Sequence, residues 1–106
     1  MPNKVFCQYR VRRGNEREFE KLLTTHWPTL HRLGLVTSTP SEQFKGTEQD
    51  NGEPIYFEVF DWLDGAVERA HAHPEVMAIW QPMDALCEAR GTKPNMEFPH
   101  VERLPG

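Results

Sequence analysis

Two segments of this chain carry large apolar groups on both of their faces. Lys4–Arg12 and Pro54–Trp62 read as β-strands, rich in β-branched and aromatic residues. Side chains switch faces at every residue of a strand. Val5, Cys7, Tyr9 and Val11 therefore share one face of the first, and Phe6, Gln8 and Arg10 the other. In the second, Ile55, Phe57 and Val59 oppose Tyr56, Glu58, Phe60 and Trp62. A sheet that is greasy on both sides has to be covered on both.

Between these strands the period changes. Arg13-Gly14-Asn15 reads as a turn, and Asn15 followed by Glu18 has the spacing of a capping box. Phe19, Leu22, Leu23, His26 or Trp27, Leu30 and Leu33 then recur at three- and four-residue steps, predicting a helix that stops at Gly34. Pro28 lies inside this stripe, so a kink is expected near Thr24–Trp27. Leu35–Lys45 is a weaker strand, and Pro40 marks it as an edge or a bulge. Gly46–Glu53, with Asn51-Gly52, reads as a hairpin loop into the strand at Pro54.

After Trp62 a short helical stretch runs to Ala72. Pro74 starts a fresh helix, packed through Val76, Met77, Ile79, Trp80, Met83, Leu86 and Cys87 and bent at Pro82. Asn95–Leu104 is the last strand, with Pro99 again pointing to an edge.

The order is strand, helix, two strands in a hairpin, broken helix, strand. That is the α+β, ferredoxin-like βαββαβ arrangement, an antiparallel sheet with its helices on one face, here in a single domain spanning residues 1–106. The helices are expected over the Val5/Cys7/Tyr9/Val11 and Ile55/Phe57/Val59 face. The face bearing Phe6, Arg10, Tyr56, Glu58 and Phe60, with Trp62 beside them, is then left for a second copy. An Arg10–Glu58 pair would satisfy two charges inside that isologous contact, and the two sheets would close a dimeric α/β barrel.

Composition narrows the partners. The 106 residues are 38% hydrophobic and 26% charged, with a net charge of −4 and no Lys/Arg stripe, which disfavours nucleic acid and anionic membrane surfaces. No apolar run approaches the roughly 18–20 residues that span a bilayer, and the start of the chain has no signal-peptide pattern. A cytoplasmic protein is expected. Cys7 and Cys87 have no motif spacing and read as buried small hydrophobes.

The opening Val11-Arg12-Arg13-Gly14-Asn15-Glu16, the strand Phe57-Glu58-Val59-Phe60-Asp61-Trp62, and His71-Ala72-His73-Pro74 leading into a helix resemble the dimeric α/β-barrel superfamily. Within it, the chain is most similar to antibiotic biosynthesis monooxygenase-like (ABM) domains. The resemblance implies cofactor-independent oxygenation of a small aromatic or polyketide-like substrate, in a pocket between sheet and helices. Other branches of the superfamily degrade haem or isomerise lactones. Haem degradation would want Asn on the first strand and an axial His on the second helix, where this chain offers Gln8 and Tyr9, and Ile79 and Trp80.

The candidate bases are His71 and His73, beside the helix break, and His26 on the first helix, because histidine exchanges protons near neutral pH. The competing readings are a capping or solvent-facing pair for the first two and a hydrogen-bonded core ring for His26. Tyr9, Trp27, Phe57 and Trp80 are candidate substrate-binding residues, with plain packing as the competing and commoner role of such aromatics. No metal is expected, since an H-x-H pair on a helix points its rings about 200° apart, and no cofactor, since no Gly-rich phosphate loop is present. The alternatives to an enzyme are a non-catalytic protein that binds a hydrophobic metabolite and a dimeric interaction module without a ligand. A cavity histidine with a carboxylate or carbonyl partner would favour the enzyme over the binder, whereas a space filled by Trp27, Trp80 and Met83 would disfavour both ligand readings.

Overall fold

The computed structural model describes residues 2–106. Its elements are β1 (Asn3–Tyr9), α1 (Glu16–Arg32), β2 (Glu42–Thr47), β3 (Pro54–Trp62), α2 (Ala66–His71), α3 (Pro74–Leu86), β4 (Met96–Glu97) and β5 (His100–Val101). The strands form one antiparallel sheet in the order β2-β3-β1-β4, with β5 also paired to β1. This is the ferredoxin-like topology, with α1, α2 and α3 packed on one face. No helix among the described residues is long and apolar enough to cross a membrane.

The 3.6-residue period of α1 brings Phe19, Leu23, His26 and Leu30 to one buried stripe. The helix runs through Pro28 as one element and ends before Gly34, whose φ of +73° suits a residue without Cβ. The expected capping box does not form. Asn15 turns its amide away to donate to the Leu86 carbonyl at 3.3 Å, tying the start of α1 to the end of α3. The weaker strand begins later than expected, at Glu42, but it does occupy the sheet edge. Leu35 and Val36 are buried ahead of it, Val36 bridging to Trp62. Pro99 divides the last strand into β4 and β5, while its carbonyl still accepts from Phe6 N at 2.9 Å.

One expectation is overturned. The β1–β3 register pairs Val5 with Phe60, Cys7 with Glu58, Tyr9 with Tyr56 and Asn3 with Trp62. Cross-strand partners share a face, so Tyr56, Glu58, Phe60 and Trp62 lie under the helices with Val5, Cys7 and Tyr9. The opposite face carries Phe6, Gln8, Phe57 and Val59. The expected interface set of Phe6, Arg10, Tyr56, Glu58 and Phe60 therefore mixes two faces, and only Phe6 among the apolar ones lies outside. The Arg10–Glu58 pair is absent for the same reason. Arg10 instead binds Glu97 at 2.6 Å and the Pro94 carbonyl at 2.7 Å.

Candidate active site

Small side chains at Val5 and Cys7 leave the floor under the helices unfilled, and Phe60 and Trp62 from β3 form the adjoining wall. Trp80 and Met83 of α3 close the roof, and Met96 and Phe98 close the side. The space between them is a cavity of about 490 Å³, open at a mouth, so Trp80 and Met83 border it without filling it. Its lining is mainly apolar, with polar groups at two levels. Tyr9 and His26 lie deep, and exposed His71, Gln81, Asp84 and His100 stand at the mouth.

The deep level is built on Glu58, whose side chain has 0% exposure. Its Oε1 accepts from the Tyr9 hydroxyl at 2.8 Å and lies 2.8 Å from His26 Nδ1. Its Oε2 accepts from Gln43 Nε2 at 3.2 Å, across the β2–β3 ladder. Burial works to raise the Glu58 carboxyl. The opposing pull of His26, with the hydrogen bonds from His26, Tyr9 and Gln43, holds it below the usual carboxylate range. Burial, then the Glu58 charge, push Tyr9 well above a normal phenol, so its O–H stays protonated and donates.

The other nitrogen of His26 fixes the tautomer. Trp80 Nε1 lies 2.9 Å from His26 Nε2, and an indole N–H can only donate. Nε2 therefore accepts, and Nδ1 carries the proton that goes to Glu58. The result is a continuous chain, Trp80 to His26 to Glu58, with Tyr9 joining at the carboxylate. Such a ring is held in one orientation by its carboxylate partner, as a general base requires. Phe60 packs edge-on to it, ring centres 5.8 Å apart.

The structure thus brings His26, Tyr9, Trp80 and His71 to one cavity. It places three other candidates elsewhere. His73 is the N-cap of α3, its Nδ1 accepting from Glu75 N at 3.2 Å. Trp27 lies outside the cavity, stacked on His31 at 4.8 Å. Phe57 is on the far side of the sheet, packed 5.7 Å from Phe6. Sequence reasoning misses Glu58 as a site residue, because the apolar pattern puts β3 in the wrong phase. A Glu within a run of aromatics is the available signal: a carboxylate there needs buried donors. Among the described residues, no three His, Cys, Asp or Glu side chains converge as metal ligands would. Cys7 borders the cavity as a neutral thiol, pushed up first by burial and then by Glu58.

No protein-family model matches the chain, and no curated protein matches it in sequence. Solved structures do share its fold. An antibiotic biosynthesis monooxygenase superposes with a TM-score of 0.69 at 13% identity, covering 97% of this chain and 99% of that one. A point mutant of SnoaB, a cofactor-independent oxygenase from Streptomyces nogalater, gives 0.69 at 18% identity, covering 99% and 95%. A dimeric ferredoxin-like protein of unknown function from Jannaschia sp. CCS1 gives 0.59 at 16% identity, covering 97% and 100%.

Proposed function

We propose that the chain is a cofactor-independent monooxygenase acting on a small aromatic or polyketide-like substrate, with His26 as its base and Glu58 as the group that orients that base. The observation that carries this reading is the 2.8 Å contact between His26 Nδ1 and a fully buried Glu58, at the wall of a 490 Å³ apolar cavity. The shared fold with an antibiotic biosynthesis monooxygenase and with SnoaB supports the reaction class.

The chemistry needs only dioxygen. The enol O–H of an activated CH₂ compound loses its proton to His26 Nε2, leaving an enolate with carbanion character at carbon. Glu58 stabilises the imidazolium that forms. The electron-rich carbanion passes one electron to O₂, and the radical pair closes a C–O bond as a peroxide. His26 returns the proton to the peroxide, which loses water to leave C=O. One oxygen atom stays in the product and the other departs in water. The apolar walls favour a flat ring system and keep bulk water from the carbanion. Tyr9 holds Glu58 through its hydroxyl and borders the cavity itself.

A second copy covers the outer sheet face in this reading, over Phe6, Phe57, Val59 and Phe44, the last 52% exposed. The dimeric ferredoxin-like neighbour, matched along its whole length, supports that assembly.

The test is oxygen uptake with anthrone and a panel of hydroquinones, measured against the buffer rate. Wild type is expected to exceed that rate. His26→Gln, which keeps a polar partner for Glu58, is expected to lose on the order of 10²–10⁴ of it. If wild type binds these compounds yet consumes no oxygen above buffer, the non-catalytic binding reading replaces this one. One feature favours that alternative: the lone pair of His26 is already occupied by Trp80.

A further inference from the structure

Both nitrogens of His26 are engaged, one by Glu58 and one by Trp80, and the ring is only 2% exposed. A ligand reaching the deep end of the cavity therefore meets no free lone pair on that ring. The Glu58 contact is the one that orients the ring and remains. The contact that must open is the indole N–H to Nε2.

We propose that Trp80 is a hydrogen-bonding gate on His26: its indole holds the Nε2 lone pair and yields it only to a ligand carrying an O–H donor. This rests on the reading of His26 as the cavity's acceptor. The physical reason is the cost of an orphaned buried acceptor. A phenol or enol that displaces the indole replaces one donor with another. An ether or a quinone carbonyl has no proton to offer, so displacing the indole would leave Nε2 unpaired in an apolar wall. Such molecules are expected to lodge in the cavity with the Trp80 contact intact. The gate thus selects acidic hydroxylated aromatics over their aprotic analogues.

Trp80 is placed to yield. It is only half-buried, midway along α3. Its remaining ring contacts are edge-on, to His71 with centres 4.9 Å apart and to Trp62 at 6.2 Å. His71 is exposed at the mouth, so the displaced indole N–H finds that imidazole or water as its new acceptor.

The test uses two probes with one ring system, 2-naphthol and 2-methoxynaphthalene, titrated into ¹⁵N-labelled wild type and Trp80→Phe. In wild type, 2-naphthol is expected to bind more tightly. It should also shift the Trp80 indole N–H resonance away from its hydrogen-bonded position, while 2-methoxynaphthalene leaves that resonance in place. In Trp80→Phe the preference for 2-naphthol is expected to widen by about three- to tenfold, the worth of one net hydrogen bond that no longer has to be broken. Using the ratio of affinities cancels the extra room left by the smaller ring. A clear preference in wild type with an unmoved indole at saturation overturns the gate and leaves His26 as acceptor. No preference, or no binding of either probe, overturns the acceptor role of His26 and the gate with it.

Discussion

His26 lends its Nδ1 proton to Glu58 across 2.8 Å inside the core, so the deepest charge of the protein is held by a ring that also faces the cavity. Because the folded carboxyl titrates below its usual range despite burial, its partners outweigh its desolvation. A depressed carboxyl contributes stability above its unfolded pKa, near 4.3, and that contribution is lost as pH falls through the lower folded value. Glu58→Gln is therefore expected to lower stability at pH 7 by about 2 kcal/mol. It should also flatten the loss of stability expected of wild type below about pH 4.3. Urea unfolding at pH 7 and at acid pH checks both. Equal stability of the two proteins at pH 7 would remove Glu58 from the centre of the site.

The two cysteines give a prediction that does not involve the base. Burial pushes Cys87 up to about 12, with Asp84 next, and burial followed by Glu58 pushes Cys7 up as well. Only the thiolate attacks a disulfide reagent. Both residues are expected to react with Ellman's reagent at pH 8 at least about a thousandfold more slowly in the native protein than in urea. Rapid native labelling, mapped by mass spectrometry to Cys7, would show that the cavity floor is wetter and more polar than its apolar lining implies.

The topology can be read from the chain because its signals are local. Pro54–Trp62 is bounded by its loop and by Leu63-Asp64-Gly65, the α1 stripe by Gly34, and the start of α3 by Pro74. The phase of β3 cannot be read, because Ile55, Phe57 and Val59 are as apolar as Tyr56, Phe60 and Trp62. Period two assigns residues to alternate faces of one strand, but only register says which face joins Val5. That register is set by hydrogen bonds between residues more than fifty positions apart, such as Val5 and Phe60. The wrong phase carries Glu58 to the outer face with it, and so hides the partner of a histidine that the α1 stripe places near the core.

His71 and His73, two residues apart, are expected to behave differently. His71 stands exposed at the cavity mouth against Trp80, whereas His73 caps α3. With a substrate found by oxygen uptake, His71→Ala should raise KM while leaving kcat within about threefold. His73→Ala should lower stability by about 1 kcal/mol and leave both kinetic constants near wild type. A collapse of kcat in His71→Ala would shift the role of base from His26 to the mouth.

The outer sheet face offers the test of assembly, because Phe57 and Phe60 are separated by only three positions yet lie on opposite sides. Phe60 is buried at 3% exposure against His26 and Trp62, whereas Phe57 packs with Phe6 on the uncovered side. Phe60→Ala leaves a void in a packed wall and is expected to cost about 3–5 kcal/mol. Phe57→Glu puts a charge from each copy where the two would meet, and buried unpaired like charges oppose association strongly. Sedimentation of wild type is expected to give a species of twice the 12.4 kDa chain mass. Phe57→Glu should sediment as the single chain, with its far-UV spectrum and cavity binding retained. A wild type that sediments at 12.4 kDa at micromolar concentration would mean that Phe6, Phe57 and Phe44 face solvent in the working protein, and the paired-sheet assembly would be wrong.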